Sequence, residues 1–212
     1  MAEITSPGFD TALQMTRHAA ALRQQGYDFV MRYYSHNAAK NLTPEEARAL
    51  AAAGLRLGAV WESAGTHTGF FSGAQGRSDG TAALSLARAV GQPAGSAIYF
   101  AVDFDPSQAD IDGPVADYFA GVAAALGSAY RIGVYGSGLC CGSLLDRAQA
   151  DCCWLSQSTG FAGSKAFAQA RRYDLIQALP KRIVLDGCTL DIDPDSTNPA
   201  GNPGLFRPGE PG

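Results

Sequence analysis

From Pro7 onward, short apolar runs with little charge alternate with helical patterns, and that alternation constrains the fold more than any single residue. The runs are 7–10, 29–35, 55–60, 98–105, 130–137, 152–158 and 173–177, with 189–193 as a candidate eighth. Between them lie helical stretches at about 11–26, 44–54, 78–90, 107–126, 139–148 and 164–172. Thr43-Pro44-Glu45-Glu46 reads as a helix start, with a threonine cap, proline at the first helical position and Glu46 placed for a capping box. Strand–helix alternation of this kind predicts right-handed βαβ units around a parallel sheet. Eight strands fit a compact α/β fold, a (β/α)8 TIM-type barrel, with irregular last units allowed. A doubly wound open sheet is the runner-up, but no G-x-G-x-x-G follows the first strand. The turn Gly133-Val134-Tyr135-Gly136-Ser137-Gly138 has the wrong spacing for a dinucleotide site. One barrel domain is expected over 1–197, followed by a Pro/Gly-rich tail over 198–212 with little to bury.

The stretch Ile98-Tyr99-Phe100-Ala101-Val102-Asp103-Phe104-Asp105 focuses the chemistry. Side chains alternate along a strand, so Asp103 and Asp105 are expected on one face, with Tyr99 and Ala101 behind them. Two neighbouring carboxylates repel each other, and stability alone gives little reason to pair them. Asp105-Pro106-Ser107 also reads as a cap for the next helix.

Composition removes several alternatives. A 212-residue chain, 46% hydrophobic, can bury one generous core, and a monomer is expected. Net charge is −4 with dispersed Lys and Arg, which argues against nucleic acid and anionic membrane surfaces. No stretch is long and apolar enough to span a bilayer, and Met1-Ala2-Glu3-Ile4 shows no basic leader. The expectation is a protein cytoplasmic as synthesised, with release to the cell wall by a non-Sec route (phage lysis or dedicated secretion) as the alternative. The cysteines, Cys140-Cys141, Cys152-Cys153 and Cys188, lack zinc spacing, and His18, His36 and His67 complete no ligand set. Neither metal nor other cofactor is expected. Reduced, buried thiols are expected, a disulfide between the two pairs being the other reading.

In a barrel the strand ends converge on one mouth. Asp10, Glu62, Asp103, Asp105 and Asp191 fall at such ends, with Asp193 a further candidate. Tyr33, Tyr34, Trp61, Tyr99, Tyr135, Trp154, Gln157 and Gln177 join them. Carboxylates, aromatics and amides together suit glycoside hydrolysis, in which one acid protonates the leaving oxygen and another meets the sugar cation.

Gly8-Phe9-Asp10, Arg32-Tyr33-Tyr34, Trp61-Glu62, Val102-Asp103-Phe104-Asp105, Gly133-Val134-Tyr135-Gly136, Trp154-Leu155-Ser156-Gln157 and Ile176-Gln177 … Leu190-Asp191-Ile192-Asp193 occur in that order. The set resembles a glycoside hydrolase-like barrel family, long a domain of unknown function, that is similar in plan to the family-25 (Chalaropsis-type) lysozymes. The resemblance implies a TIM-type barrel acting on peptidoglycan or a related polysaccharide. It puts Asp10 on the first strand, and Asp103 and Asp105 where those lysozymes carry Asp-x-Glu, so Asp105 replaces the glutamate that is their general acid.

The resulting expectation is a muramidase-like glycosidase with Glu62 as general acid and Asp103 and Asp105 as ionised partners. Asp10 and Asp191 hold the network, and Tyr34, Tyr99, Tyr135, Trp154 and Gln177 line the groove. The competing expectation is a non-catalytic glycan-binding barrel that kept the fold without the acid geometry. A phosphate-using barrel enzyme lacks the basic residues it needs.

Overall fold

The structure, a computed structural model, describes residues 5–210. The start read for a leader, 1–4, and the last two residues of the expected tail lie outside them. Eight strands close a barrel with helices between most of them, the TIM-type plan expected. Seven are parallel: β1 (Pro7–Asp10), β2 (Phe29–Tyr34), β3 (Arg56–Trp61), β4 (Ala97–Ala101), β5 (Arg131–Gly136), β6 (Cys152–Leu155) and β7 (Leu175–Gln177). Outside them lie α1 (Ala19–Gln24), α2 (Pro44–Ala52), α3 (Gly73–Val90), α4 (Gln108–Asp110), α5 (Ala116–Leu126), α6 (Gly138–Asp146) and α7 (Ser164–Gln169). Thr43 caps α2 by accepting from the Glu46 amide, with Pro44 at the first position. The single helix expected over 107–126 is three pieces. A π-helical segment, Ile111–Val115, containing Pro114, separates α4 from α5.

The last unit departs from the repeating pattern. No helix follows β7; instead β8 (Lys181–Leu185) and β9 (Cys188–Thr197) form a hairpin. β9 then runs antiparallel between β7 and β1, closing the barrel with Asp193 opposite Asp10 and Asp195 opposite Gln177. The hairpin packs over α1 through His18 Nδ1 to Asp186 Oδ2 (2.7 Å) and Gln25 Nε2 to the Val184 carbonyl (2.7 Å).

Alternation along each strand sorts the apolar residues into two layers. Val30, Tyr34, Trp61, Ile98, Phe100, Val102 and Val134 face the helices. Phe29, Met31, Val60, Tyr99, Cys152, Trp154 and Leu175 fill the barrel interior. Glycine makes room for the largest of these. A Cβ on Gly58 would stand 2.0 Å from the Met31 sulfur, and one on Gly133 2.4 Å from the Tyr99 ring.

The stretch read as a tail crosses the barrel's amino-terminal end. The Gly204 carbonyl accepts from the Ala97 amide (3.0 Å), the Pro203 carbonyl from the Tyr99 hydroxyl (2.9 Å), and Phe206 exchanges two backbone bonds with Leu57 (2.8 Å each). Phe206 is 3% exposed, so this segment has an apolar side chain to bury after all. Phe206→Ala is expected to cost about 3 kcal/mol of stability, the usual range for a buried phenylalanine, read from equilibrium urea unfolding. An unchanged midpoint would show the segment to be independent of the core.

Candidate active site

β1 delivers Asp10 to the carboxyl-terminal mouth, where it is 2% exposed. Its two oxygens accept from the Tyr33 hydroxyl (2.7 Å) and Gln177 Nε2 (2.6 Å). Gln177 Oε1 in turn accepts from the Tyr135 hydroxyl (2.9 Å) and the Gln157 backbone N–H (3.4 Å). Above this relay opens a cavity of about 250 Å³, walled by Asp10, Glu62, Asp103 and Asp193, with Tyr33, Tyr135, Trp154, Gln157, Gln177 and Val60 between them. Glu62 pairs with Lys40 Nζ at 3.3 Å, and that ammonium lies 4.8 Å from the centre of the Tyr33 ring. Asp195, on the same face of β9 as Asp193, is buried below. Trp154 Nε1 donates to its Oδ1 (2.8 Å), and its Oδ2 has no partner among the described residues.

Burial dominates the electrostatics. It pushes the Asp10 carboxyl up from 3.8 to about 7, against the two donors that favour its charge, and the charges of Asp193 and Glu62 add to the rise. Asp195 is driven well above the carboxylate range, mainly by burial and then by Asp10. Burial also raises Asp103 and Asp193. Tyr33 and Tyr135 move up through burial and nearby carboxylates, so both stay neutral hydroxyl donors. A set of carboxyls with unequal environments can hold a proton on one member and charge on another.

Of the residues expected from sequence, the structure brings together Asp10, Glu62, Asp103, Asp193, Tyr33, Tyr135, Trp154, Gln157 and Gln177. It separates five others from the cavity, of which Trp61 faces the helices. Strand pairing by β4 ends at Ala101, and the alternation lapses before Asp105, whose Oδ1 accepts from the Ala162 amide at 2.8 Å. The following helix is capped by Ser107 and Asp110 instead. Tyr34 lies one residue past Tyr33 and so faces the helices, fully buried, its hydroxyl on Gln92 Oε1 (2.8 Å). Tyr99 points inward, but its hydroxyl reaches the opposite end of the barrel. Asp191 is exposed on the hairpin, paired with Arg182 at 2.9 Å, because the last strand runs antiparallel and presents Asp193 and Asp195 inward instead. Lys40 and Asp195 escaped the sequence reading. The i, i+2 spacing of Asp193 and Asp195 was the available signal for the second; nothing local marked the first.

With this geometry in view, the class is clear: residues 20–187 match the Rv2525c-like, glycoside hydrolase-like domain, and the chain belongs to that family. Uncharacterized protein FadG of Bacillus subtilis (strain 168) is 30% identical over 168 residues, covering 74% of this chain and 29% of FadG. The chain thus spans under a third of the length of the curated relatives it matches. The Mycobacterium tuberculosis Tat-secreted protein Rv2525c, crystallised with L-tartrate, has a TM-score of 0.79 at 19% identity, over 96% of this chain and 99% of that one. A bacterial lysozyme from Streptomyces coelicolor has a TM-score of 0.51 at 14% identity, over 91% and 92% of the two chains. The family expected from the motifs is the family found, and the likeness to lysozymes holds for the fold. Among the described residues no helix is long and apolar enough to cross a membrane.

The raised Asp10 carboxyl has a consequence for stability. Between its ordinary 3.8 and about 7 the folded protein holds a proton that the unfolded chain has released. Stability therefore falls as pH rises through that window. Asp103, Asp193 and Asp195, also raised, act in the same direction. Asp10→Asn is expected to make the fall shallower in urea midpoints taken across the window. Parallel slopes in both proteins would remove Asp10 as a source of the linkage.

Proposed function

We propose that the mouth is the active site of a glycosidase acting on peptidoglycan or a related polysaccharide, in the manner of a muramidase. The observation that carries the reading is the convergence of Asp10, Glu62, Asp103 and Asp193, from four strands or their ends, on one cavity. Membership of a glycoside hydrolase-like family supports it, and the fold shared with a lysozyme supports the choice of polysaccharide. Release by a non-Sec route belongs to the same reading, since Rv2525c is described as Tat-secreted.

The environments suggest a division of labour that differs from the one expected from sequence. Among the described residues Asp103 has no cation beside it, and burial raises it, so it suits the proton that the leaving oxygen requires. Glu62 has the Lys40 ammonium as counterion and suits the charge that meets the sugar cation. Asp10, fixed by Tyr33 and Gln177, positions the floor.

A second reading, a glycan-binding barrel without catalysis, has one observation in its favour. Asp105 stands at the position of the lysozymes' acid yet is bonded to the Ala162 amide, outside the cavity.

Reducing ends released from purified peptidoglycan distinguish the two. Wild type is expected to release them, and Glu62→Gln and Asp103→Asn to release them about 100-fold more slowly, the usual range for losing acid–base assistance. Asp103→Asn should recover on an aryl glycoside whose leaving group needs no proton, whereas Glu62→Gln should not. Wild type that binds the glycan but releases nothing would leave the binding barrel as the function.

A further inference from the structure

We infer that the mouth takes a glycan whose sugar amine is free, in preference to the N-acetylated form. The inference rests on the polysaccharide reading above and names the substrate class more closely.

Hydrogen-bond supply distinguishes the two forms of the sugar. An acetamide presents a carbonyl oxygen that needs a donor and a methyl group that needs an apolar seat. The wall offers little of either. The Tyr33 and Tyr135 hydroxyls donate to Asp10 and Gln177, and the Trp154 indole donates to Asp195. Gln177 gives one amide hydrogen to Asp10. Among the described residues, Gln157 is the wall side chain whose amide has no such commitment, and Val60, 1% exposed, is the lone aliphatic group.

Acceptors, by contrast, are in excess. The carboxyl oxygens of Asp103 and Asp193 have no hydrogen-bond partner among the described residues, although both side chains line the cavity. Below them Asp195, 2% exposed, holds one oxygen on Trp154, and the other has no partner among the described residues. A carboxyl oxygen without a partner is costly, and a ligand that hydrogen-bonds to the open Asp103 and Asp193 groups of the wall relieves it. Charge points the same way. Among the described residues no cation pairs with the Asp193 carboxyl that lines the cavity, and the nearby Lys40 ammonium is engaged with Glu62. A protonated amine brings three donors and a positive charge to such a site, and charge-assisted bonds are about twice as strong as neutral ones. An anionic sugar meets repulsion there.

The test uses matched oligomers of glucosamine and N-acetylglucosamine of equal length, titrated calorimetrically into the whole chain at a pH where the sugar amine is protonated. Purified peptidoglycan, before and after chemical de-N-acetylation, serves as the polymer. The free-amine oligomer is expected to bind at least about tenfold more tightly, 1.4 kcal/mol. The de-N-acetylated polymer is expected to be the better substrate. Equal or tighter binding of the acetylated oligomer would overturn the inference and leave the glycosidase reading standing. A preference for the free amine without reducing-end release would keep the inference and end the glycosidase reading. Failure to bind or cut any of the four would overturn the inference as well. Asp193→Asn, with its fold checked by circular dichroism, is expected to lose most of the preference, and a variant that retained it in full would refute the role given to the open carboxyls.

Discussion

A carboxyl group taken out of water must be compensated, and the way Asp10 is compensated organises the mouth. Its two donors come from β2 and β7, and the residue facing it across the barrel closure is Asp193 on β9. One side chain thus ties the first strand to its neighbour β2 and, past β9, to β7. The compensation is incomplete, because desolvation outweighs both donors and leaves the group titrating near 7. A lower value would follow from more donors or more water. The position therefore trades stability at neutral pH for a carboxyl that can gain or lose a proton there.

The acids sit on an apolar floor, and Trp154 joins the two. Its ring packs edge-on against Tyr135 (4.7 Å) and Tyr99 (6.1 Å), while its nitrogen holds Asp195. Tyr99 itself fits because residue 133 is glycine, and its hydroxyl is held by the segment crossing the far end. Packing at the bottom of the barrel thus fixes the height at which the polar layer begins. Dense interiors transmit such displacements without absorbing them.

What could be read from the chain follows from how local each signal is. The alternation of apolar runs and helical stretches is local, and it led to the barrel. Asp10, Glu62 and Asp103 stand where strands stop, and Tyr135, Trp154 and Gln177 sit near such stops, so they were legible too. Tyr34 in place of Tyr33 is an error of one residue, which in a strand is an error of face. Asp105 depended on β4 continuing four residues beyond Ala101, and the point where pairing ends is set by neighbouring strands. The direction of β9 is set by the hairpin that precedes it, and with that direction came the exchange of Asp191 for Asp193 and Asp195. Lys40 reaches Glu62 from the loop after β2, a contact no periodicity encodes.

Closure by β9 has a bearing on how the protein comes to be active. Asp10 and Asp193 lie near opposite ends of the chain, and Gln177 joins Asp10 across nearly as long a separation. Contacts of such range are entropically the most expensive to form and come late when a chain organises. The chemistry of the site therefore depends on the closure of the barrel by β9, the pairing that joins residues farthest apart in the chain.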